Sequence, residues 1–171
     1  MGEVSCPKAT IVVPVYNSVR SIQRCLDSLL AQSERSIQVV CVNDGSTDDS
    51  LNVLHQIAQA DDRVLVIDQE NAGVSCARNA GINAVEGETV FFVDADDYID
   101  AQTVERVLHS MESADAEVAV FGGVCEPADA APKRVQQLMS PKAGTFGARD
   151  PQLLFHSNAQ PYACRAAFSR Q

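Results

Sequence analysis

The run Thr89-Val-Phe-Phe-Val93 shows no alternation of polar and apolar residues and stops abruptly at three carboxylates, Asp94, Asp96 and Asp97. A strand that is apolar on both faces must be covered on both, which is the condition of the inner strands of a parallel sheet. Parallel neighbours need crossover connections, usually helices, and the chain supplies them. Strand-like runs at residues 10–15, 37–42 and 64–67 come before it, and another at 117–121 comes after. Between them apolar residues recur at helical spacing: Ile22, Cys25, Leu26, Leu29 and Leu30, then Leu51, Leu54, Ile57 and Ala58. A third helix is built of small residues, Ala77, Ala80, Gly81 and Ala84, and a fourth carries Val104, Val107, Leu108 and Met111. This alternation predicts an α/β fold, Rossmann-like, with three α/β/α layers and a mainly parallel central sheet.

Local signals refine the outline. Pro14, near the end of the first strand, belongs at a sheet edge or rim, where its missing N–H costs nothing. Asn17 or Ser18 is a candidate cap for the first helix, and Ser46 or Thr47 for the second. Gly81 within a helical pattern predicts close packing of that helix. Residues 122–146 lose all period and read as a loop, and a weak helical stretch surrounds Leu153, Leu154 and Phe155.

Composition narrows the function. With 171 residues, 46% of them hydrophobic, the chain fits one domain with a substantial core. Its apolar runs fall far short of the roughly 18 residues that suggest a membrane span, and residues 1–10 do not read as a secretory signal. Six cysteines without a CxxC pair read as reduced, mostly buried thiols. A cytoplasmic setting follows. A formal charge of −10 argues against nucleic acid as a partner. An anionic ligand would need a metal ion, helix N-termini or a few well-placed arginines.

Ligands of open parallel sheets sit beyond the carboxyl ends of the strands, and the unusual polar residues cluster there. Tyr16 and Asn17 follow the first strand, Asp44 and Ser46 the second, Glu70 and Asn71 the third, and Asp94, Asp96 and Asp97 the fourth. Three carboxylates directly after a buried strand repel one another unless a cation neutralises them. Oxygen donors suit Mg²⁺ or Mn²⁺, which would bridge to phosphate. The plainer reading is that Asp96, Asp97 and Asp100 cap the next helix. Asp44 precedes the turn's capping residues, so its carboxylate is expected to be free for a ligand N–H such as that of uracil or thymine; the alternative is a simple turn residue. Arg78, early in a helix, would face a diphosphate or else form a surface salt bridge. Tyr16 is placed to stack on a base or else covers the sheet edge. His55, His109 and His156 have no evident partner and read as structural or surface residues.

In this order, Val12-Val-Pro-Val-Tyr-Asn17, Val42-Asn-Asp-Gly-Ser-Thr-Asp48, Asn71-Ala-Gly-Val-Ser-Cys-Ala-Arg-Asn-Ala-Gly81 and Phe92-Val-Asp-Ala-Asp-Asp-Tyr-Ile99 resemble the four N-terminal signatures of the family 2 glycosyltransferases of GT-A fold. The resemblance implies a nucleotide diphosphate-sugar donor, UDP-linked, and inverting transfer to a saccharide or lipid-linked acceptor in polysaccharide or other glycoconjugate synthesis. It implies that Pro14, Tyr16 and Asp44 surround the base, that Asn71 and Arg78 lie near the diphosphate and sugar, and that Asn17 and Ala95 belong to the same nucleotide-sugar site. Asp96 would bind Mg²⁺ or Mn²⁺, with Asp94 facing the ribose or a metal-bound water and Asp97 as a second ligand or sugar contact.

Asn43 stands where an Asp is frequent in that pattern, a common variant. No later motif supplies the general base, which is expected beyond Gln171, so residues 1–171 read as a GT-A domain truncated before its acceptor-binding part. That downstream part leaves room for peripheral association with the inner face of a membrane and for oligomers. Two alternatives stay open: a nucleotide-sugar-binding module without transfer, and a haloacid-dehalogenase-type phosphatase with Asp94 as nucleophile.

Overall fold

Every residue of strand β1, Ala9–Val15, is buried, because the period of two sends its side chains alternately into two separate cores. Ala9, Ile11, Val13 and Val15 join one apolar cluster, and Val12 joins another on the opposite face. The computed structural model describes residues 6–121 and 166–169. After β1 come α1 (Ile22–Leu30), β2 (Ile37–Asp44), α2 (Ser50–Ala60), β3 (Val64–Gln69), α3 (Val74–Asn83) and β4 (Thr89–Phe92). Then follow α4 (Thr103–Ala114), β5 (Val118–Val120) and β6 (Ala166–Ser169).

The sheet order is β3-β2-β1-β4-β6-β5. β1 pairs in parallel with β2 and β4, and β2 with β3. The larger core gathers Leu26 and Leu29 of α1, Leu54 of α2 and Val104, Val107 and Met111 of α4 against one face. Ala77 of α3 packs with Val40 and Val42 on the other. This is the expected three-layer, mainly parallel α/β/α architecture. Pro14 lies past Val12–Phe92, the last pair between β1 and β4, so its missing N–H breaks no ladder there.

Some local expectations change. Neither Asn17 nor Ser18 is the N-cap of α1, which is Ser21, and α2 begins after Asp49 rather than Ser46 or Thr47. Those four residues instead join the two strand exits to each other. β6 is not anticipated from sequence. It runs antiparallel between β4 and β5. Ala166-Ala-Phe-Ser169 has no β-branched residue, so its strand state comes from its two neighbours. Phe168 also meets Phe92 edge to face at 6.1 Å. Cys25 and Cys41 are buried free thiols as expected, but Cys6 and Cys76 are exposed. His55 and His109 are exposed. The loop at 122–146, the helical stretch at 153–155, Cys125, Cys164 and His156 lie outside the described residues. Among the described residues no helix is long and apolar enough to cross a membrane.

Gly81 shows why α3 is built of small residues. A Cβ placed on it would sit 2.3 Å from Val12 Cγ1, far inside van der Waals contact. Gly81→Ala should therefore destabilise the domain by about 1–3 kcal/mol, although alanine favours a helix by roughly 1 kcal/mol over glycine. Urea unfolding should also show that Val12→Ala costs less in the Gly81→Ala background than alone. Full additivity would mean that the two residues do not compete for the same space.

Candidate functional site

Because β1, β2, β3 and β4 point the same way, their polar exits meet on one rim. An open cleft of about 670 Å³ lies there, bordered by the exits of β1 and β4 and by α3, a size usual for small-ligand sites. It brings together Pro14, Tyr16, Asn17, Arg78, Asp94, Ala95 and Asp96. Asp44, Asn71 and Asp97 are not among its lining residues. Arg20 and Asp48 also line it, and the sequence reading did not select them. Tyr16 is 52% exposed, so its ring is offered to the cleft rather than spent on packing.

Arg78 lies one turn into α3, and its guanidinium donates to Asp94 Oδ1 at 2.7 Å. A fixed cation thus neutralises the first of the three carboxylates, which sequence alone left in need of an ion. Asp96 and Asp97 remain exposed. Asp100 helps to start α4, because its Oδ1 accepts from the N–H of Gln102, the N-cap, at 3.0 Å, whereas Asp96 and Asp97 give the helix no side-chain cap bond. Among the described residues no three His, Cys, Asp or Glu converge to hold a metal ion. A protein cage is not needed for Mg²⁺ or Mn²⁺, because a small hard cation keeps several waters and takes one or two carboxylates together with phosphate oxygens. The exposed oxygens of Asp96 and Asp97 fit that shared mode. Behind them, burial and the nearby negative charges of Asp97, Asp96 and Asp94 push the Cys25 thiol up to about 12. It stays protonated and lies 3.6 Å from the Asp94 carbonyl, to which it donates.

Asn17 joins the first two strand exits. It sits at φ 50°, a left-handed conformation that asparagine tolerates better than most residues. Its Oδ1 accepts from Thr47 N–H at 2.7 Å and from Asp48 N–H at 3.3 Å, while its own N–H donates to Ser46 Oγ at 3.0 Å. Ser18 N–H and Val19 N–H donate to Ser50 Oγ and Asp48 Oδ2. These bonds hold the segment after Tyr16 against the start of α2.

Asp44 differs most from its sequence reading. It is only 3% exposed, and its carboxylate is not free. Oδ1 accepts from Gln69 Nε2 at 2.7 Å and from Ala72 N–H at 2.9 Å, and Oδ2 accepts from Gly73 N–H at 2.9 Å. The turn before α3 wraps around it. Gly45, at φ 67°, is pressed so close that a Cβ would lie 2.7 Å from Asn71 N, which places Asn71 beside this turn. Asn43 is buried and donates to Asp68 Oδ1 at 2.7 Å. An aspartate at position 43 would set two carboxylates face to face, which accounts for the amide.

The family model "Glycosyl transferase family 2" matches residues 10–171. The chain belongs to glycosyl transferase family 2. Glycosyltransferase GlyA of Streptococcus pneumoniae is 44% identical over 113 residues, 66% of this chain and 16% of GlyA. The structure of S. aureus TarS in complex with UDP has a TM-score of 0.64 at 30% identity, covering 70% of this chain and 36% of that one. The mannosyltransferase PcManGT of Pyrobaculum calidifontis, in complex with GDP-Man and Mn²⁺, shares the fold with a TM-score of 0.67 at 21% identity, covering 98% of this chain and 46% of that one. The chain spans less than half the length of each of these proteins. Its structural neighbours are GT-A glycosyltransferases. Membership of family 2 leaves the phosphatase alternative without support.

In this family 2 domain the bonding of Asp44 has a measurable signature. Burial raises its proton affinity, but the Ala72 N–H, the Gln69 amide and the Gly73 N–H together outweigh it and hold the carboxyl below its ordinary value. A depressed value in the folded state stabilises the fold above the unfolded value of about 3.9, and that contribution is lost as pH falls below it. Asp44→Asn should cost about 1–3 kcal/mol near pH 7, with its amide N–H₂ turned towards Gly73 N–H or Gln69. The difference from the unsubstituted chain should shrink as pH falls below about 4. Urea unfolding from pH 7 to pH 3 checks this, and a pH-independent difference would contradict it.

Proposed function

We propose that the chain binds a nucleotide diphosphate-sugar, UDP-linked, as the donor half of an inverting glycosyltransferase acting on an acceptor hydroxyl in polysaccharide or other glycoconjugate synthesis. The observation that carries this reading is the Arg78–Asp94 pair in the cleft that Tyr16 and Asp96 also line. It supplies a face for a base, a fixed cation for phosphate and an exposed carboxylate within one cavity. Arg78 Nε is buried and has no partner among the described residues. An unsatisfied buried donor is costly, and a phosphate oxygen at this wall would relieve it. TarS, a relative at 30% identity, has been solved with UDP and with UDP-GlcNAc, which favours a uridine nucleotide.

Each residue then has a separate task. Tyr16 covers the base, Arg78 and Arg20 oppose the diphosphate charge, and Asp94 holds Arg78 in place. Asp44 organises the turn that starts α3 rather than reaching the base directly. Mg²⁺ or Mn²⁺ held by Asp96 and Asp97 would stabilise negative charge on the departing diphosphate. In direct displacement the acceptor oxygen attacks the anomeric carbon, the bond from that carbon to the diphosphate oxygen breaks, and a general base takes the hydroxyl proton. A lipid-linked acceptor would bring the protein to the inner face of the membrane.

Calorimetry of UDP with the full chain tests the donor reading. Affinity should be at least roughly tenfold higher with Mn²⁺ than with EDTA, about 1.4 kcal/mol. Asp96→Asn should remove most of that difference while shifting stability by less than about 0.5 kcal/mol, as expected at an exposed position. Equal affinity with Mn²⁺ and with EDTA would sink the shared-cation proposal.

A further inference from the structure

We infer that Gln32 is a positioning residue for the donor cleft, acting through the segment that carries Asp94, Asp96 and Asp97. Gln32 follows the C-terminal end of α1 and is fully buried, a rare state for an uncharged polar side chain of this size. Its side-chain hydrogen bonds join α1 to the start of α4. Nε2 donates to Ser28 O at 3.0 Å and to Asp100 O at 2.8 Å, and Oε1 accepts from Val104 N–H at 3.0 Å. Two carbonyls on one side and an N–H on the other fix the amide's orientation. Val104 is in the first turn of α4, where backbone donors have no intrahelical partner, and α4 has no cap from its own side chains. Gln32 supplies that acceptor from outside the helix.

The same side of α1 holds the rest of the segment. Arg24 lies over the Tyr98 ring at 3.7 Å, Ser28 Oγ accepts from Ile99 N–H at 3.3 Å, and Ser33 N–H donates to Ala101 O at 2.7 Å. Upstream, Asp94 is tied by Arg78 through its side chain and by Cys25 through its carbonyl. Asp96 and Asp97 therefore lie on a short span anchored at both ends. Gln32 contributes two bonds to the downstream anchor, to Asp100 O and from Val104 N–H, and touches no cleft residue in doing so. A preorganised ligand loses less freedom on binding, so the clamp should appear as affinity for a cation-bound nucleotide. This inference rests on the donor reading above.

The test compares Gln32→Met, of similar length but without hydrogen bonds, with Ser28→Ala, which removes the bond to Ile99 N–H without opening the core. Leu54→Ala in α2 is the control for lost stability outside the clamp. Two quantities are read on the full chain: UDP affinity in Mn²⁺ by calorimetry, and hydrogen exchange at the Ile99 and Val104 amides. Gln32→Met should lose about threefold to tenfold in affinity, less than the roughly 10-fold to 100-fold cost of removing a group bonded directly to a metal ligand, with faster exchange at both amides. Ser28→Ala should show a smaller loss, with faster exchange at Ile99. Leu54→Ala should melt earlier yet bind within twofold of the unsubstituted chain. Binding by Gln32→Met within twofold of the unsubstituted chain, or an equal loss in Leu54→Ala, would overturn the inference. If Gln32→Met does not fold, Ser28→Ala against Leu54→Ala decides the same question. Failure of the unsubstituted chain to bind UDP with Mn²⁺ would instead sink the donor reading, and the exchange data would then judge the clamp alone. Selective acceleration at Ile99 and Val104 sustains it, and acceleration no greater than in Leu54→Ala overturns it.

Discussion

The structure depends on burying β1 and β4 on both faces. A strand covered above and below has little room for polar side chains along its length, Thr10 and Thr89 being small enough to stay buried there, so the larger ones are carried beyond its end. With β1, β2, β3 and β4 all parallel, those ends share one rim, and the polar residues of four separate exits become neighbours. The cleft is therefore a consequence of the core. The tight packing of Val12 beneath Gly81 and the position of Arg78 beside Asp94 follow from the same docking of α3 on the sheet.

Four irregular exits need bracing if they are to keep one shape, and much of the polar chemistry on the rim is spent on this. Asn17 links the first exit to the second, Asp44 links the second to the turn before α3, and Gln32 links the end of α1 to the segment after Asp94. Each uses a side chain to satisfy backbone groups that no strand or helix can pair. What remains for a ligand is a smaller set: the ring of Tyr16, the guanidinium of Arg78 and the exposed carboxylates.

The fold was legible because its signals are local and periodic. Strand runs without alternation, helical spacing of apolar residues and the small-residue helix at Ala77 to Ala84 each follow from burial, and the structure places elements at all of them. The rim was legible as a place, but less so in its division of labour. Sequence cannot show whether a carboxylate's lone pairs are already occupied, so Asp44 read as free although three donors enclose it. Nor could it pair Arg78 with Asp94, which lie on different elements. Gln32 left one faint trace, a polar amide three residues after Leu29 on the apolar spacing of α1. β6 left none, because four residues of low strand propensity become a strand only through partners distant in sequence.

That last strand sets an order on assembly. β6 lies between β4 and β5, so β5, although made much earlier, reaches the sheet only through residues 166–169. As the chain leaves the ribosome, β3, β2, β1 and β4 can assemble first from nearby crossovers. Until β6 emerges, the outer side of β4 is an unpaired apolar edge bearing Phe91 and Phe92. Such an edge attracts other strands, and long-range pairing closes slowly. The interval between the synthesis of β4 and that of β6 is thus the period in which a newborn chain most needs shelter from its own copies.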